Sequence, residues 1–294
     1  MISKKFINNG FLHIKNDKTF AHQCTELNKL VKKNLTVNSK IFLTRKRSLK
    51  NRKKSQKWTA DILSKVNIDF VLNNIKIKKT LEKIFEKNYK LVGKKIIYGI
   101  PEKYLPKYIT KKENIISINL GPYIKKKYRV VRYFNGIDFH QDQMDYSSTK
   151  CNVVTLYVYL DKVTEKSSPL IILPKSHKLG PDLFPHYLEK EKNRILYKTR
   201  KNKKIYTKEH KLVGLPGESW AWHSCMLHGT RANISKEGRI SLRLMFKKSR
   251  MQKNTSVDII NNSFGNTSGY KITSEFLIKK YNDVIKKTKY STKK

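Results

Sequence analysis

Acidic residues are scarce in this chain of 294 residues: Asp and Glu number 22 against 65 Lys and Arg, for a formal net charge of +43. A field of that sign draws in anions of every kind, from nucleic acid and anionic lipid to phosphorylated or carboxylated small molecules. Cysteine is nearly as scarce. Cys24, Cys151 and Cys225 show no CxxC spacing, which excludes a disulfide framework and a closed structural zinc site, and implies reduced thiols in a cytosolic setting. No apolar run is long enough to span a bilayer, and MISKKFINNG at the start has no continuous apolar stretch of the signal-peptide kind. A soluble, cytoplasmic protein is expected. There is no internal repeat.

The densest basic run is RKRSLKNRKKSQK at 45–57, with eight Lys or Arg in thirteen residues. It suits a nucleic-acid patch or a localisation signal, and equally a solvated loop. AT-rich codon usage accounts for the abundance of Lys, Ile and Asn but not for the shortage of Glu. Codon bias together with a preference for an anionic partner explains both. No aromatic stacking platform interleaves the basic residues, so nucleic acid is the less favoured partner and a small anionic molecule the more favoured one. Oligomeric state is open.

Apolar positions at helical spacing predict helices over 21–34 and 77–89, with DFVLNNIK (69–76) beside them. From 128 onward the pattern changes to short β-rich runs bounded by Gly, Pro, Ser and Asn: 128–136, 152–163, 168–180, 212–229 and 239–246. These predict a mainly β sandwich or barrel with helical additions. The stretch 181–211 is rich in Lys and Tyr and is read as a long irregular loop, a candidate lid that brings Lys198, Arg200 and Lys201 to an anionic substrate. Residues 251–268 read as a polar linker, and 275–287 as a short amphipathic helix before a basic tail.

Two short stretches carry chemistry. In FHQD (139–142), His140 and Asp142 are metal-capable and two apart, a spacing that puts both on one face of a strand. In LHGTRANISKEGRIS (227–241), His228 is followed by Arg239 and Ser241, again two apart. Two imidazoles and one carboxylate make the ligand set of a non-haem Fe(II) oxygenase. An Arg–Ser pair suits a dicarboxylate such as 2-oxoglutarate, the guanidinium forking onto the distal carboxylate while the hydroxyl adds a donor. A His-x-Asp tripeptide alone is weak, because a chain with 8 His and 22 acidic residues produces it by chance. A three-ligand catalytic zinc shares the donor set, and the Arg–Ser pair argues against it. Cys225, near His223 and His228, reads as a buried inert thiol rather than a nucleophile.

FHQDQMDY, TLYVYLDKVTEKSSPLIILPKSHKLG and PGESWAWHSCMLHGTRANISKEGRISLRL together resemble the phytanoyl-CoA dioxygenase family, and FINNGFLHIKN (6–16) resembles its N-terminal start. The resemblance spans most of 6–247 and implies a double-stranded β-helix, the jelly-roll or cupin-like barrel, with N-terminal supporting helices. It divides a single domain of 1–294 into support and lead-in strands (1–110), a core (111–250) with the insertion near 181–211, and a linker, helix and tail (251–294). It implies Fe(II), 2-oxoglutarate and O2, with His140, Asp142 and His228 as iron ligands and Arg239 and Ser241 on the distal carboxylate. Tyr157 falls where the family places an aromatic against the co-substrate. Because the carboxylate ligand is present, hydroxylation of a C–H bond is implied rather than halogenation. His228 heads the matching run; His223, five positions earlier, would face the other way on one continuous strand and takes a core or supporting role. The chain departs from the family at PKSH, where Lys175 replaces a glycine and makes a positive φ unexpected. A nucleic-acid-modifying oxygenase and a non-catalytic basic binding protein on the same barrel are the alternatives.

Overall fold

A computed structural model describes residues 2–44, 62–110, 117–145, 151–182, 184–249 and 254–264. The chain opens with α1 (Ile2–Asn9), β1 (Phe11–Ile14) and α2 (Lys18–Lys33). Asp17 caps α2, its carboxylate accepting the Phe20 N–H at 2.9 Å. A short turn of helix at Asp69–Leu72 leads to α3 (Ile75–Phe85). The helix predicted over 77–89 stops at Phe85, because Glu86 and Lys87 turn left-handed (φ 52° and 71°) and Tyr89 already begins β2 (Tyr89–Gly99).

The remaining strands are β3 (Ser117–Asn119), β4 (Arg132–His140), β5 (Val153–Tyr159), β6 (Leu170–Ile172), β7 (Tyr187–Glu191), β8 (Arg194–Lys198) and β9 (Lys204–Thr207). They continue with β10 (His210–Leu212), β11 (Ser219–His223), β12 (His228–Thr230) and β13 (Arg239–Lys248), before α4 (Ser256–Phe264). A ten-stranded sheet runs β1-β11-β5-β13-β2-β4-β12-β6-β10, with β3 on β4. Among the described residues its one parallel pair, β2 with β4, is the seam between two antiparallel wings. The expected double-stranded β-helix is therefore present. Its sheet also takes in β1 and β2 from the part of the chain read as helical support and lead-in strands.

Alternation along the strands decides what faces what. On β13, Ile240, Leu242, Leu244 and Phe246 join Val154, Leu156 and Val158 of β5 in one apolar layer with Phe20, Leu27, Ile77 and Leu81 of the helices. Each such side chain contributes about 1.5–3 kcal/mol when fully buried. The opposite face of the same two strands points into the barrel, where Tyr157 and Tyr159 pack with Trp220, Trp222, Leu170 and Ile172.

Three sequence expectations are corrected. The stretch 181–211 is not an irregular loop: β7, β8 and β9 form a separate antiparallel sheet. Its buried face (Leu188, Ile195, Tyr197) packs on Phe139, Ile171 and Leu173 of the barrel. The linker read across 251–268 contains α4, which buries Val257 and Ile260 and is fixed at its start by the Asp258 carboxylate accepting from Thr255. Lys175 does take a positive φ, 68°, and starts the turn Ser176–Leu179. The basic run 45–57 and the helix expected over 275–287 lie outside the described residues.

Gly10 joins α1 to β1 at a φ of 78°, and its carbonyl accepts the His223 N–H at 3.0 Å. A Cβ there would lie 2.3 Å from both His177 Nδ1 and the Met226 methyl. Gly10→Ala is expected to cost about 2–4 kcal/mol in urea denaturation, from the left-handed backbone and overpacking together. Burial lowers the His177 imidazole to about 4 and that of His223 to about 3. Unfolded chains hold these groups near 6.5, so the unfolded state binds more protons below that pH. Their contribution to stability is complete above about pH 6.5 and is lost progressively as the pH falls towards 3–4. Melting temperature should therefore drop steadily from pH 7 to pH 4, and a flat profile would contradict neutral burial.

Candidate active site

His140 ends β4 and His228 begins β12, and the two strands pair with these residues in register. Their ring centroids are 4.3 Å apart. His140 Nδ1 lies 2.9 Å from the Asp138 carbonyl, and His228 Nδ1 lies 3.0 Å from the Met226 carbonyl. A carbonyl only accepts, so Nδ1 carries the proton in both rings and each Nε2 keeps its lone pair for a ligand. Backbone support of this kind orients the imidazoles of metal sites.

Asp142 reaches the same place by a different route from the one its spacing suggests. The strand stops at His140, and Asp142 opens the 3-10 turn Asp142–Asp145, which bends its carboxylate back. One ligand atom from each of His140, Asp142 and His228 lies within 4.8 Å of the others, a group that could hold a metal ion.

The Asp142 carboxylate is 1 % exposed and is surrounded by donors. Oδ2 accepts from Thr155 Oγ1 on β5 at 2.5 Å and from Trp222 Nε1 on β11 at 3.0 Å. Oδ1 accepts from Arg243 Nη2 on β13 and lies 3.4 Å from His228 Nε2. Burial pushes this carboxyl up, yet Arg243 first, then His228 and His140, outweigh burial and hold it well below the usual carboxylate range.

Arg239 and Ser241 lie on the barrel-facing side of β13, opposite the apolar layer formed by its alternate residues. Arg239 is 2 % exposed, and its Nε and Nη1 have no hydrogen-bond partner; nor does the fully buried Ser241 Oγ. The Tyr157 ring lies 5.8 Å from the Arg239 guanidinium carbon, within cation–π reach. A buried guanidinium with orphaned donors beside an orphaned hydroxyl suits the carboxylate of a dicarboxylic acid.

Sequence reasoning missed Thr155, Trp222 and Arg243. Only Arg243 left a signal, an arginine two positions past Ser241 on the same strand face. It also missed His186, which is 4 % exposed between Phe184 and Tyr197. Burial, then the charges of His140, Arg200 and His228, lower its imidazole to about 3. His223 and His228 do not share a continuous strand: β11 ends at His223, and a turn carries the chain to the other wing. His223 is fully buried and accepts the Cys225 N–H on Nδ1. Burial pushes the Cys225 thiol well up, as expected of an inert cysteine. Against β7 and β8, a cavity of about 720 Å³ is lined by Asp182, Pro185, Glu189, Lys198 and Arg200 among others. Among the described residues no helix is long and apolar enough to cross a membrane.

The sequence profile described as "Phytanoyl-CoA dioxygenase (PhyH)" matches residues 129–241, the segment that holds His140, Asp142, His228, Arg239 and Ser241. No curated protein matches the chain. Among solved structures, the non-haem monooxygenase ThoJ in its apo form is 11 % identical with a TM-score of 0.50, over 85 % of this chain and 78 % of that one. EctD from S. alaskensis, solved with bound Fe, is 9 % identical with a TM-score of 0.50, over 84 % of this chain and 75 % of that one. At such identities the likeness speaks to the fold. Profile and fold agree: residues 129–241 match the model of the phytanoyl-CoA dioxygenase family, whose members are Fe(II)- and 2-oxoglutarate-dependent oxygenases.

Proposed function

We propose that this protein hydroxylates a C–H bond of a small or medium-sized anionic organic molecule, with His140, Asp142 and His228 as the iron ligands. The carrying observation is that three ligand atoms of the right types lie within 4.8 Å of one another beside an inward-facing arginine. Bound there, Fe(II) with 2-oxoglutarate and O2 supplies the oxidising power, the keto acid leaving as succinate and CO2. Arg239 anchors the distal carboxylate of 2-oxoglutarate, Ser241 adds a donor, and the Tyr157 ring flanks the guanidinium. The apolar lining from Tyr159, Trp220, Leu170 and Ile172 keeps water from the reacting region. Arg200, whose charge is felt at the buried His186 together with those of His140 and His228, favours a negatively charged substrate. The whole chain, 1–294, acts as one oxygenase unit.

Anaerobic titration with Fe(II) and then 2-oxoglutarate tests this directly. A weak visible charge-transfer band that needs both is expected; its absence would remove the oxygenase assignment. His140→Ala should abolish the band and the iron-dependent release of succinate while leaving the fold intact. Asp142→Ala should do the same and also destabilise the protein by about 3–5 kcal/mol, since it strips Arg243 of a buried partner.

Arg239→Met separates binding from stability. Among the described residues no carboxylate pairs with Arg239, so replacing it with an apolar side chain of similar length should leave the ligand-free melting temperature unchanged or raise it. The same variant should lose the thermal shift produced by 2-oxoglutarate while still binding the metal. Equal loss of both would make the arginine structural.

A further inference from the structure

Asp142 offers two carboxylate oxygens, and the protein treats them differently. Oδ2 is taken by Thr155 and Trp222, whose side chains are fully or almost fully buried. Oδ1 is the oxygen turned towards His228 Nε2, and it is the one that Arg243 holds. The Arg243 side chain is 12 % exposed and follows Arg239 and Ser241 along the inner face of β13. The oxygen best placed for a metal therefore already carries a cation.

We propose that Arg243 is a further carboxylate-binding residue of this site: it holds Asp142 Oδ1 until a divalent cation takes that oxygen, and then turns to the carboxylate of the incoming keto acid. Metal binding and anion binding are thereby coupled through one side chain. This rests on the assignment of His140, Asp142 and His228 as metal ligands.

A guanidinium does not deprotonate in proteins, so Arg243 cannot relieve its conflict with a metal ion by losing charge. Its single positive charge and the two on the metal would crowd one carboxylate oxygen in a site of low polarity, where repulsion is strong. A dianion removes that conflict. The planar five-donor fork of arginine matches a carboxylate edge, and Arg243 is the arginine of β13 that already touches the metal-facing oxygen. Arg239, four residues away on the same face, is left for the far carboxylate of the dicarboxylate.

The test is Co(II) titration of the full-length protein, followed by its ligand-field spectrum, with and without saturating 2-oxoglutarate. The wild type is compared with Arg243→Met and Arg243→Lys. Arg243→Met should bind Co(II) alone about tenfold more tightly than the wild type, because the competing cation is gone. The factor by which 2-oxoglutarate tightens Co(II) binding should fall by about tenfold in the same variant. Arg243→Lys, which keeps a point charge but not the fork, should bind Co(II) alone as the wild type does and lose part of that factor. It also carries the test if Arg243→Met does not fold. Weaker Co(II) binding in the variants with an unchanged factor would overturn the proposal, leaving Arg243 a mere support for Asp142. A wild type that takes up no Co(II) at all would overturn both the proposal and the metal-ligand assignment.

Discussion

A carboxylate buried inside an apolar barrel must be surrounded by donors or give up its charge, and Asp142 is surrounded from both wings of the sheet. Thr155, Trp222 and Arg243 reach it from β5, β11 and β13, and His228 from β12, while its own turn follows β4. Five strands distant in sequence thus share one buried charge. The same arrangement treats the two oxygens differently, giving Oδ2 two donors from the barrel and turning Oδ1, which Arg243 holds, towards His228 Nε2.

The period of two on β13 separates support from site within a single strand. Even-numbered Ile240, Leu242, Leu244 and Phe246 hold the helices, while odd-numbered Arg239, Ser241 and Arg243 face the barrel. The layer of α2 and α3 makes the polar inner face affordable, since burial on the outer face offsets the desolvation of the guanidinium groups. The sheet β7–β9 does the corresponding work on the other wing. It covers Phe139, Ile171 and Leu173, and the segments flanking its strands bring His186 and Arg200 to the neighbourhood of the two imidazoles.

Much of this was legible in the sequence, and the failures have physical reasons. The strands from 128 onward and the helices around 21–34 and 77–85 follow from hydrophobic period. The sheet β7–β9 did not stand out because it is amphipathic: Tyr187, Glu189 and Lys198 face outward between Leu188, Ile195 and Tyr197, and a high lysine content conceals that alternation. Lys175 adopts its positive φ because the turn it begins is fixed elsewhere. Its N–H donates to the Asn9 carbonyl, and the Ser176 hydroxyl donates to Met226 and accepts from Leu227.

The sequence by itself determined which residue types are available, and hence the chemistry proposed: two histidines and an aspartate that could hold a metal, an arginine and a serine suited to a carboxylate. Spacing also determined that Arg239 and Ser241 share a face, because that relation is local to one strand. Only the tertiary structure decided that His140 pairs with His228, 88 residues along the chain, and that Asp142 is gripped by Thr155, Trp222 and Arg243. Those contacts depend on how two wings fold over each other, and a local pattern carries no information about which distant strands will meet.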